Sequence, residues 1–125
     1  MKFIKEVYAH CDLPCGVYDP AQAIIEAQSV FEIQKKYEGL DEVNKQRAVF
    51  IKEQRAELVK QHLWVLWSDY FKPVHLEKYP NLHDLFWKAT KQASECKHHM
   101  EPEEGQTLLD MIDEIAAIFW ETKKA

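Results

Sequence analysis

Apolar residues recur at three- and four-residue intervals through four stretches of this sequence, and no stretch of strict alternation competes with them. The first stretch opens at Asp19-Pro20. An aspartate there can accept from the free N–H groups of a first turn, and proline suits the first helical position. Ala23, Ala27, Val30, Gln34 and Tyr37 then fall at helical spacing, Ile24, Phe31 and Ile33 widen the stripe, and Gly39 offers a stop. A second helix is predicted from about Asp41 to Tyr70, with Val43, Phe50, Ile51, Leu58, Val65 and Leu66 inward. Pro73 and Pro80 bracket Val74–Tyr79, which reads as a connecting loop. The third helix is expected from Pro80 to about Lys97, burying Leu82, Leu85, Phe86, Ala89, Ala93 and Cys96. After a break at His98–Gly105, the fourth runs to Lys123 with Leu108, Ile112, Ile115 and Phe119 in one row and Leu109, Ala116 and Trp120 beside it. Four amphipathic helices with short links imply an all-α fold, a four-helix bundle.

Composition agrees and excludes several alternatives. Three Gly and five Pro in 125 residues are too few for a turn-dense β-sandwich. A net charge of −5 gives no electrostatic footprint for nucleic acid, and no apolar run approaches the ~20 residues of a membrane span. Met1–Ala9 carries two lysines but no apolar core of a secretory signal. The odd set Cys11, Cys15 and Cys96 does not describe a disulfide framework and points to a cytoplasmic protein with functional thiols.

The chemistry lies ahead of the bundle, in His10-Cys11-Asp12-Leu13-Pro14-Cys15-Gly16-Val17-Tyr18. Two thiols and an imidazole sit within six residues, with Pro14 and Gly16 letting the backbone fold on itself, so both sulfurs can reach one ion. A closed zinc site normally needs four side chains, and a second ligand pair is missing. Backbone nitrogens can supply the remaining donors. Planar, nitrogen-rich geometry favours Ni(II) or Cu(II) over zinc. By spacing alone, a thiol metal carrier, a Cys11–Cys15 redox switch and a helical interaction module with incidental thiols all stay open.

The segment resembles the metal hook of the nickel superoxide dismutases, whose mature chains begin His-Cys-x-x-Pro-Cys-Gly-x-Tyr. The resemblance extends to Lys52–Leu58, Leu66–Pro73 and Ile118–Ala125, and is weakest at Val43–Val49 and Lys97–Glu104. It implies an oxidoreductase that converts superoxide to dioxygen and hydrogen peroxide by Ni(II)/Ni(III) cycling, with one nickel per subunit. Three residues would be its metal ligands: His10 through its α-amine and imidazole, Cys11 through thiolate and backbone nitrogen, Cys15 through thiolate. The α-amine of His10 does not exist while Ala9 is attached. Residues 1–9 therefore read as a leader removed by a processing peptidase, and residues 10–125 as the enzyme domain, with the hook at 10–18. A homohexamer is the family's assembly.

Further roles follow from the same resemblance for the tyrosines, Asp12, Glu26 and Arg55, and from the residues themselves for Lys72, Cys96, the histidine pair and the tryptophans. Tyr18 and Tyr70 match the tyrosines at the mouth of the site, and Asp12 the hook's own acidic residue, orienting the loop and joining proton delivery. Glu26 and Arg55 match the pair that steadies the axial imidazole, carboxylate to ring N–H and guanidinium to carboxylate; Arg47 rivals Arg55 by composition alone. Lys72 is placed to draw anionic superoxide inward. Ile24 stands where relatives often carry a basic residue, which removes a steering charge there. Cys96 reads as a small hydrophobe, His98-His99 as a solvated helix end, and Trp64, Trp67, Trp87 and Trp120 as core or interface aromatics.

Overall fold

The Asp19-Pro20 signal does start a helix, one residue later than expected. Pro20 is the N-cap, and Asp19 Oδ1 accepts from the Ala21 amide at 2.8 Å. The computed structural model describes residues 16–124, and within them α1 spans Ala21–Lys36, followed by a 3-10 turn at Tyr37–Gly39. α2 spans Glu42–Val65, capped by the Asp41 side chain accepting from the Asn44 amide, and runs on through a π-helical turn, Leu66–Tyr70. α3 is the short Pro73–Lys78; α4 spans Leu82–His98 and α5 spans Pro102–Lys123.

α1 packs against α2 and α5, and α4 packs against the same two helices, so α1 and α4 lie across a diagonal of the bundle. Lys52 of α2 reaches the Lys97 carbonyl of α4, while Lys60 reaches Ser94. That order of pairing makes the two helices antiparallel. The expected four-helix bundle is the fold, and no strand occurs among the described residues. One end of the bundle gathers Tyr18, Tyr70 and the C-terminal turn of α5; the other gathers Gln34, Lys52 and the α4–α5 turn.

The inward stripes of three helices follow the apolar periodicity. α1 buries Ala23, Ala27, Val30 and Gln34; α4 buries all six expected residues, Cys96 included; α5 buries Leu108, Ile112, Ile115, Ala116 and Phe119. Each buried Leu, Ile or Phe contributes about 1.5–3 kcal/mol of transfer free energy. α2 corrects the expectation. Val43 and Phe50 are 68% and 64% exposed, Ile51, Leu58 and Val65 are half-buried, and only Leu66 of the predicted inward set is buried. The inward residues are instead Ala48, Lys52, Ala56, Val59 and Leu63. Small alanines let α1 and α4 approach α2 together, and the buried Lys52 ammonium donates to the Lys97 and His99 carbonyls at 3.1 and 2.6 Å. Those bonds offset its desolvation and satisfy carbonyls that a helix end leaves free.

Two links also differ from expectation. The segment read as a loop between Pro73 and Pro80 holds α3, because Pro73 fixes the first helical φ and His75 Nδ1 accepts from the Lys72 amide at 3.0 Å. The break before the last helix is shorter, since α5 starts at Pro102, not Gly105. Gly105 instead marks a close approach: a Cβ there would meet the Phe31 Cα at 3.1 Å and Gln34 Oε1 at 2.2 Å.

Candidate metal centre

His10, Cys11, Asp12 and Cys15 lie outside the described residues. The description begins where the predicted hook rejoins the bundle. Gly16 has φ +69°, a left-handed conformation that a residue without Cβ adopts freely, so the chain can reverse before Tyr18. Tyr18 is half-buried, and its phenol oxygen is enclosed.

Tyr18 meets Tyr70, with ring centroids 5.5 Å apart and planes tilted by 56°. The two tyrosines, separated widely in sequence, thus form one aromatic pair. Tyr70 is delivered by the π-helical turn, closed by the Phe71 amide donating to the Leu66 carbonyl at 3.0 Å. Such turns shift one residue out of helical register and occur often at functional sites. Around Tyr70 pack Phe119 at 4.5 Å, Phe71 at 5.1 Å and the His75 ring stacked at 5.8 Å. The Lys123 ammonium lies 5.1 Å from its ring centroid. Its hydroxyl is 2.7 Å from Thr122 Oγ1.

Glu26 and Arg55 come together across the α1–α2 seam. One Arg55 nitrogen lies 3.0 and 3.2 Å from the two Glu26 oxygens. The Glu26 side chain is only 16% exposed, so this is a largely desolvated carboxylate held by a guanidinium. Arg47, the rival by composition, is exposed and bonds to Asn44 on its own helix. Lys72 is exposed in extended backbone just before α3. Burial, then the Lys72 charge, lowers the pKa of His75, which favours the neutral ring that accepts from the Lys72 amide. A cleft of about 440 Å³ opens beside Tyr18, lined among others by Gln22, Gln61, His62 and Leu66.

The remaining thiol and imidazoles are accounted for separately. Cys96 is fully buried, and burial pushes its thiol up to about 11, which leaves it protonated and inert. His99 is paired rather than simply solvated: Glu104 oxygens stand 2.9 and 3.0 Å from its Nδ1 and raise its pKa, with Glu95 at 3.5 Å. His98 is exposed. Thr122 carries no sequence signal, and His62 and His75 have no role assignable from sequence. No spacing signals them, because each reaches the tyrosine end from a different element.

The family model described as nickel-containing superoxide dismutase matches residues 5–123. Superoxide dismutase [Ni] of Streptomyces seoulensis is 61% identical over 121 residues, spanning 96% of this chain and 92% of that protein. The enzyme of the same name from Streptomyces coelicolor is 61% identical over 120 residues, spanning 95% and 92%. Among solved structures, a native nickel superoxide dismutase superposes with TM-score 0.90 at 60% identity, covering 93% of this chain and all of that one. A Ni-containing superoxide dismutase with nickel ligation corresponding to the oxidised state gives 0.89 at 62% identity, with the same coverage.

Proposed function

The chain belongs to the nickel-containing superoxide dismutase family, and from that premise we propose how its own residues serve the conversion of superoxide to dioxygen and hydrogen peroxide. The observation that carries the activity is 61% identity sustained over 96% of the chain with enzymes of that name. The donor set suits the metal. Two thiols, an imidazole and, once Ala9 is gone, a free amine stand within six residues of one another. Nickel bound to such donors supplies a Ni(II)/Ni(III) couple that thiolate and amide donation brings between the oxidation and the reduction of superoxide.

His10, Cys11 and Cys15 would hold one nickel per chain after a peptidase removes residues 1–9. One point of chemistry supports the cut: the His10 α-amine exists only afterwards. Glu26 would accept from the imidazole N–H of His10, fixing the tautomer and raising ligand basicity. One Arg55 nitrogen, shared between the two Glu26 oxygens, holds that carboxylate in place. Tyr18 and Tyr70 narrow access and order water at the mouth, which limits how far oxidants reach the thiolates. Asp12 would orient the hook and join proton delivery. Lys72, exposed beside the tyrosine pair, draws the anionic substrate toward an otherwise acidic protein.

Self-association, in the family's case as a homohexamer, would cover apolar side chains that the single chain leaves exposed, Phe50 at 64%, Trp87 at 58% and Trp64 at 46%. A cytoplasmic setting is supported by the odd set of three cysteines, which describes no disulfide framework. A thiol carrier or Cys11–Cys15 switch would have no use for the Glu26–Arg55 bond or the tyrosine pair, and nothing favours either. Metal exchange tests the reading. The purified holoenzyme, stripped by chelation under reducing conditions, should regain dismutase activity with nickel and not with zinc or copper. Equal recovery with copper would contradict it.

A further inference from the structure

Thr122 sits on the last turn of α5 with its hydroxyl engaged twice. It donates to the Phe119 carbonyl at 2.5 Å, and its oxygen lies 2.7 Å from the Tyr70 hydroxyl. A hydroxyl carries one hydrogen. That hydrogen is spent on the Phe119 carbonyl, which has no hydrogen of its own to offer in return. The Tyr70 phenol must therefore be the donor in the second bond, with its proton directed into α5.

From this we propose that Thr122 is a positioning residue that fixes Tyr70 as a hydrogen-bond acceptor toward the site. With its one proton committed to Thr122, the phenol offers only lone pairs to anything that approaches from the tyrosine-pair side. Lone pairs repel the superoxide anion and welcome O–H donors. Tyr70 accordingly holds water or the product hydrogen peroxide, and does not donate to the incoming substrate. The surroundings reinforce that orientation. Phe119, Phe71 and the stacked His75 ring confine the Tyr70 ring on several sides, so the phenol cannot readily swing off Thr122. The relay Tyr70 to Thr122 to the Phe119 carbonyl also polarises along its length, which strengthens each bond in it. The site-facing consequence rests on the dismutase reading above; the direction of the bond does not.

The experiment has two arms. Ultraviolet resonance Raman spectra of the nickel-free chain report, through the tyrosine doublet, whether a phenol donates or accepts. The wild-type minus Tyr70→Phe difference isolates the Tyr70 signal, which should be that of a strong donor. Thr122→Val should weaken the donor character, and Thr122→Ser should restore the wild-type spectrum. A Tyr70 signal identical in wild type and Thr122→Val would overturn the bond direction, whatever metal the protein holds. In the nickel-loaded enzyme, azide probes anion binding. Releasing the phenol proton in Thr122→Val should let azide inhibit at on the order of tenfold lower concentration, the worth of one hydrogen bond to a charge. Inhibition unchanged alongside an altered spectrum would overturn the acceptor role at the site.

Discussion

At the scale of single residues, donor chemistry decides the function. A serine hydroxyl has the shape of a cysteine thiol but cannot supply thiolate donation at neutral pH. Cys11→Ser and Cys15→Ser, each made in the nickel-loaded enzyme, should therefore abolish dismutase turnover and the Ni(III) spin-resonance signal together. Normal turnover in either would remove that sulfur from the ligand set. Cys96→Ser should leave both readouts in place, since its thiol is buried on α4 and held protonated by that burial. The hook was expected from its residue types and lies outside the described residues. The supporting pair was legible only through the family resemblance, since composition left Arg47 a rival to Arg55. Glu26 and Arg55 stand apart in sequence, yet the structure brings them to 3.0 Å as a resemblance-based reading required. Thr122 was not legible. A threonine near a helix end carries no pattern, and its meaning arises only when the π-helical turn of α2 swings Tyr70 against it.

At the scale of elements, periodicity succeeds where one face of a helix is apolar and fails where two faces are. α4 and α5 each show a single apolar stripe, and every residue expected inward on α4 is buried. α2 carries a second stripe, and its apolar residues Val43 and Phe50 point out while Lys52 points in. Hydropathy alone assigns a lysine to solvent; here the carbonyls at the C-terminal end of α4 provide an acceptor pair for it. The short α3 was missed for a related reason, since six residues cannot display a period and its cap is the side chain of His75. Gly105 also escaped notice as more than a break. On α5 it admits the backbone of α1 at Phe31, so Gly105→Ala should lower stability despite the better helix propensity of alanine. The overpacking should cost about 1–3 kcal/mol in urea unfolding of the purified protein. A variant as stable as wild type would show that α1 can shift aside freely.

At the scale of the whole molecule, one end of the bundle is built for structure and the other for chemistry. The Lys52 latch, the His99–Glu104 pair and the Gln34–Gly105 contact secure the end where α4 turns into α5. The tyrosine pair, Thr122 and Lys72 gather at the end where residue 16 enters α1. An N-terminal hook reaching this end would find aromatic walls, an ion-paired carboxylate one seam away and an exposed cation. The proposed chemistry begins with a free His10 amine. Its most direct test compares dismutase activity per bound nickel for two forms of the chain, one beginning at Met1 and one at His10, each verified by intact mass. The form beginning at His10 should be active and the form retaining residues 1–9 should not. Equal activity per nickel in the two forms would contradict the amine as a ligand.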